Sequence, residues 1–156
     1  MWCDRVLGNL THYPPRGWDY VDVEWFECGR SLNRVSRGGE KVRILLPPGK
    51  RFEHGDVIFD DGQVAVVIEV TPREMLSVIA PGPRLLATLT LELGNLHCPT
   101  EITDAGEVIF PEDGPTLEIL KKLQLTALKQ IRRFNPLPSP VGVTVTMASD
   151  FAISKF

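Results

Sequence analysis

Apolar and polar residues alternate over positions 20–27, with Val21, Val23 and Trp25 set against Asp22 and Glu24. A period of two sends successive side chains to opposite faces, so the run predicts a half-buried strand. Positions 42–46 predict another, stopped by Pro47-Pro48-Gly49, because proline has no N–H to give a sheet ladder. Two apolar runs, 55–59 and 63–70, flank Asp60-Asp61-Gly62. An Asp-Gly pair in that setting predicts a hairpin. Residues 1–19 carry Gly8-Asn9, Pro14-Pro15 and Gly17 and read as loop-rich. The first stretch, 1–71, is expected to be an all-β unit.

Thr71-Pro72-Arg73 reads as a joint, and beyond it the pattern changes. Positions 75–79 predict a strand, ended by Pro81-Gly82-Pro83. Leu85, Leu86, Leu89 and Leu93 then fall on one helical face, with Thr88 and Glu92 towards solvent. Strands are expected at 100–103 and 107–110, separated by Asp104-Ala105-Gly106. A second helix opens at Gly114-Pro115-Thr116, with Leu117, Ile119, Leu120 and Leu123 as its apolar positions. Glu118 there can pair with Lys121 or Lys122. A weaker strand is expected around 128–134. The order β-α-β-β-α-β over 72–136 predicts a ferredoxin-like unit. The fold class expected is therefore α+β, an all-β domain followed by a ferredoxin-like one. The tail, 137–156, carries no assignment.

Composition narrows the function. With 43% apolar and 24% charged residues the chain reads as an ordinary globular protein. No apolar run approaches the roughly 18 residues of a membrane span, and the start lacks the apolar core of a secretory signal. Cys3, Cys28 and Cys98 are odd in number and widely spaced, which points to reduced thiols in a cytoplasm. No Gly-x-Ser-x-Gly, His-Glu-x-x-His or phosphate-binding glycine loop is present, so a catalyst is not expected.

Chemistry concentrates in Leu93-Gly94-Asn95-Leu96-His97-Cys98-Pro99, where a helix pattern stops and a strand pattern begins. Gly94 and Asn95 are expected to reverse the chain there, since both residue types tolerate positive φ. The His97 imidazole then sits at the end of an element, within reach of a metal or a partner.

This element, Leu-Gly-Asn-x-His closing the first helix of a ferredoxin-like unit after an all-β unit, resembles the UreE family of urease nickel metallochaperones. The resemblance covers roughly residues 20–136. Gly38-Gly39, Gly55-Asp56-Val57, Asp113 and Phe134-Asn135-Pro136 fit it as well. It implies a cytoplasmic homodimer that carries Ni²⁺ to the urease assembly complex, its partners being the urease accessory GTPase and apo-urease. It further implies that the first domain meets partner proteins, and that the second dimerises and binds the ion between His97 of two subunits. Three departures stand out. Leu96 replaces the family's arginine, Gly114 stands where some members have a second histidine, and residues 141–156 hold no histidine. Storage of many ions is not expected.

A two-fold interface can bring a residue beside its own copy, so two imidazoles converge without a local motif. Imidazole suits nickel and copper(II), with zinc a further candidate in vitro. Because the ligand must be unprotonated, binding should weaken below about pH 6. One histidine per subunit also permits dimers to join as tetramers around an ion. Three auxiliary ligands are weighed. Cys98 would favour softer ions, but reads better as core packing. Asp113 reads better as a carboxylate near a helix N-terminus. His12 lies in the irregular leader, and His54 in a turn.

Arg30, Arg34, Arg37, Lys41, Arg43, Lys50 and Arg51 form a basic stretch opposed within it only by Glu40. On an acidic chain, net charge −3, that set predicts a docking face for an acidic partner. Nucleic acid is not expected, for want of interleaved aromatic residues, and no membrane partner is expected either. Two other readings stay open. One is an adapter of the urease assembly complex with weak or no metal binding. The other is a zinc- or copper-responsive dimer using Cys98.

Overall fold

The computed structural model describes residues 1–14, 17–47 and 49–137. Its architecture is mixed α+β, with three sheets and two helices among the described residues. The strands are β1 (Trp2–Cys3), β2 (Gly8–Asn9), β3 (Gly17–Val23), β4 (Leu32–Val35), β5 (Lys41–Ile44), β6 (Asp56–Asp60) and β7 (Val64–Val70). They continue with β8 (Arg73–Ile79), β9 (Glu101–Ile102), β10 (Glu107–Phe110) and β11 (Leu128–Arg132). The helices are α1 (Pro83–Asn95) and α2 (Gly114–Leu123).

Two sheets, ordered β1-β5-β4 and β2-β6-β7-β3, enclose the first core. Val21 and Val23 on β3 stand opposite Ile68 and Val70 on β7 in a parallel register, so one face of the pair lines that core with Val42, Ile44 and Phe52. The other face carries Ala65 and Val67 beneath Trp18 and Tyr20. Burial on both sides accounts for the near-continuous apolar run of β7.

The third sheet is ordered β11-β8-β10-β9, antiparallel throughout. Leu76, Val78, Val108 and Phe110 line its helix face and meet Leu89 and Leu93 of α1 and Ile119 and Leu120 of α2. On the opposite face Met75, Ile109 and Phe134 pack with Trp25. The Trp25 and Phe134 rings stand edge to face, 5.0 Å between centroids. Thr71 N–H donates to Val23 O at 2.9 Å, and Arg73 pairs with Glu24. The Trp25–Phe134 and Glu24–Arg73 contacts tie the segment after β3 to the third sheet.

Four features differ from the pattern reading. The leader over 1–19 holds β1, β2 and a 3₁₀ turn (Leu10–His12), and β3 begins at Gly17. The alternation through Trp25 does not continue as strand, because Trp25–Glu27 is a 3₁₀ turn. There Glu27 N–H donates to Glu24 O at 2.9 Å, and the Glu27 carboxylate accepts from Glu24 N–H at 3.0 Å. The basic stretch contains β4, paired antiparallel with β5. The tail over 137–156 lies outside the described residues except for Leu137. Lys122 pairs across to Glu92 on α1 at 2.9 Å rather than with Glu118.

Candidate metal centre

Helix α1 starts with Pro83 after Gly82, buries Leu89 and Leu93, and ends in a Schellman motif. His97 N–H donates to Gly94 O at 2.9 Å, and Cys98 N–H reaches back to Leu93 O at 3.0 Å. The residue in left-handed conformation is His97, φ 53°. Gly94 and Asn95 are the helix's last two residues, so the reversal falls two residues later than the pattern predicts. The cause is Cys98, whose side chain packs on the cluster holding Leu93. That apolar contact across the motif fixes where the helix closes.

His97 is exposed, and among the described residues its imidazole makes no hydrogen bond. The ring borders a cavity of about 460 Å³. Trp25, Phe26, Arg30 and Arg51 form the wall contributed by the first half of the chain. Residues 97–100, Ile102 and Leu137 line it too. Sequence reasoning missed this cavity and its aromatic wall. Its parts come from segments far apart in sequence, and the adjacent Trp25-Phe26 pair after β3 was the one local signal.

The auxiliary candidates lie as follows. Cys98 is half-buried; its thiol faces Pro99 O at 3.6 Å. Burial, then the charge of Asp113, pushes the thiol up to about 11, so it is protonated at neutral pH and a poor ligand in that form. Asp113 caps α2, accepting from Thr116 N–H at 2.7 Å while Thr116 Oγ1 accepts from Asp113 N–H at 3.0 Å. His12 Nδ1 is 2.9 Å from Thr11 Oγ1, in the 3₁₀ turn. His54 Nδ1 is 3.6 Å from Glu69 Oε2. Among the described residues no three His, Cys, Asp or Glu side chains converge as a metal site.

The basic stretch divides. Arg34 lies across from Val42, while Lys41 and Arg43 stand on the alternate positions of β5, so they face opposite ways. Arg34 pairs with Glu27 and Arg37 with Asp22. Arg43 stacks over Trp2 at 4.8 Å. Lys50 is exposed, and Arg30 and Arg51 border the cavity of His97. One uninterrupted positive face does not form, because two of its arginines are neutralised by acids outside the stretch.

Comparison with known proteins then fixes the class. The chain is 31% identical over 140 residues to the urease accessory protein UreE of Actinobacillus pleuropneumoniae, spanning 85% of this chain and 74% of that protein. It is 32% identical over 146 residues to that of Flavobacterium johnsoniae, spanning 91% and 86%. It is 27% identical over 165 residues to that of Helicobacter pylori strain G27, spanning 96% of each. No family model matches. The relatives are accessory proteins, not enzymes, and that is the class of this molecule. The chain belongs to the urease accessory protein UreE family. No helix among the described residues is long and apolar enough to cross a membrane.

Proposed function

We propose that this protein is a nickel carrier of urease maturation, acting as a homodimer in which His97 of each copy holds the ion. The observation that carries the reading is His97 itself. An L-residue in left-handed conformation costs roughly 1–2 kcal/mol, and such strain gathers at functional sites. Here it accompanies an exposed ring with no partner of its own among the described residues. Among the described residues one chain brings too few donors together to hold a metal, so a second copy completes the site. Leu91 and Leu96, 65% and 44% exposed near the end of α1, support such a contact between copies.

In this reading the residues over 72–136 are a ferredoxin-like unit for metal and dimer contacts, and those over 1–71 an all-β unit for partners. Of the basic stretch, Arg30 and Arg51 at the cavity, with Lys50 beside Arg51 in sequence, meet an acidic surface of the urease accessory GTPase and apo-urease. The chemistry is ligand exchange: few ligands hold Ni²⁺, and a better site in the assembly complex takes it. Zn²⁺ and Cu²⁺ compete in vitro because imidazole accepts them too. Dimers join as tetramers where one ion gathers imidazoles from both. The cytoplasm suits three free thiols.

Calorimetric titration of metal-free protein with Ni²⁺, beside His97→Ala, tests this. Saturable binding lost in the variant is the expected result. Binding unchanged in the variant, or none in the native chain, would favour an adapter without metal.

A further inference from the structure

The cavity beside His97 is apolar in its walls and positive at its rim. Phe26, Ile102 and Leu137 line it, yet stay 52%, 38% and 54% exposed. Arg30 and Arg51 border it; among the described residues they make no ion pair and no carboxylate lines the cavity. The chain as a whole is acidic, so this local excess of positive charge is not a general property of the surface. Volumes of about 300–1,000 Å³ suit a small ligand or a few side chains, and this one falls inside that range at about 460 Å³.

We propose that the cavity receives a short peptide segment of the ion-accepting partner, in which a glutamate or aspartate stands beside a bulky apolar residue. The carboxylate meets the Arg30 and Arg51 guanidiniums, whose planar forks match it. The apolar side chain covers Phe26, Ile102 and Leu137. The inference rests on the carrier reading above and deepens its docking step: the segment that neutralises the two arginines ends next to the imidazole that gives up the ion. A nucleic acid is disfavoured, since two arginines at one cavity do not track a phosphate backbone.

The test uses the full, metal-free chain and two synthetic peptides, acetyl-Gly-Leu-Glu-Phe-Gly-amide and its glutamine counterpart, read by calorimetry. The glutamate peptide is expected to bind about tenfold more tightly, the worth of a charge-assisted hydrogen bond. Arg30→Gln and Arg51→Gln are each expected to erase most of that preference, and Phe26→Ser to weaken both peptides. Equal affinity of the two peptides, no binding by either, or a preference untouched by both arginine variants would overturn the proposal. So would a photo-crosslinker at Phe26 that captures residues 138–156 of the chain itself, or a second copy of it. Because no metal is present, failure here leaves the nickel titration standing, and failure there leaves this one interpretable.

Discussion

His97 and Gln124 occupy the same place at the ends of the two helices. Both are left-handed, φ 53° and 55°. Each is followed by an apolar residue whose N–H reaches back five residues, Cys98 to Leu93 O at 3.0 Å and Leu125 to Leu120 O at 2.9 Å. Cys98 and Leu125 both pack on the cluster between helices and sheet. The two closures are thus one motif used twice, and neither has the glycine that usually serves it.

That equivalence supplies a control. His97→Gly and Gln124→Gly should each raise stability by about 1 kcal/mol, since glycine adopts the left-handed region without the Cβ clash. Urea unfolding measures this as a higher midpoint with unchanged slope. Nickel binding should vanish in His97→Gly and persist in Gln124→Gly. Loss of stability in His97→Gly would mean that the imidazole packs structurally, which would undo the argument from strain.

The sequence was most readable where a local period decides the structure. Both helices announce themselves through apolar spacing of three and four, and the β6–β7 hairpin through Asp61-Gly62. Strands β1, β2 and β4 were missed because pairing partners define them. Trp2 and Cys3 become a strand only by lying parallel to Arg43 and Ile44, far along the chain. Trp25 fits the strand alternation, yet the Glu24–Glu27 hydrogen bonds curl the chain away. His97 was legible as an element end; its conformation was not, because the closure depends on Cys98 reaching Leu93. The five-residue spacing of apolar positions, 93 to 98 and 120 to 125, was the available signal. For the cavity only the adjacent Trp25-Phe26 pair was visible, since the segments that form it meet only in the folded molecule.

Asp113 tests cap against ligand. Its carboxylate accepts from Thr116 N–H, and Thr116 is fully buried. Asp113→Ala should cost about 1 kcal/mol of stability, while Asp113→Asn, which keeps an acceptor, should cost less. Thermal unfolding checks the ranking, and calorimetry should find nickel affinity equal in all three proteins. A weaker affinity in both variants would make Asp113 a ligand.

The thiols give a second discrimination. Burial, then Asp113, holds Cys98 up to about 11, and burial above all holds Cys28 there too. Little thiolate therefore exists at pH 7.5, and alkylation by iodoacetamide should be slow in the native protein and rise sharply on unfolding. Cys98→Ala should lose about 1 kcal/mol from the α1 closure with nickel affinity unchanged. A thiolate-to-metal absorption band on adding Zn²⁺ or Ni²⁺, absent in Cys98→Ala, would instead place the sulfur in the metal shell.

Acid should act through Glu107. Its carboxylate accepts from the Ser77 hydroxyl, from Gln130 Nε2 at 3.3 Å and from Arg132 at 3.3 Å. Arg132 also reaches Glu101 at 3.2 Å. The Ser77 hydrogen bond first, and the Arg132 charge with it, hold Glu107 below the usual carboxylate range. A carboxyl lowered on folding adds stability above its unfolded value, about 4.3, and that stability fades as pH falls towards the folded value. The native protein should therefore lose stability below about pH 5 in part through this residue. Glu107→Gln, which keeps the shape but not the charge, should be weaker by about 1 kcal/mol at pH 7 and show a shallower acid limb. Urea midpoints measured from pH 7 to pH 3 decide it. Parallel limbs for the two proteins would mean that this network holds β8, β10 and β11 together without contributing to acid sensitivity.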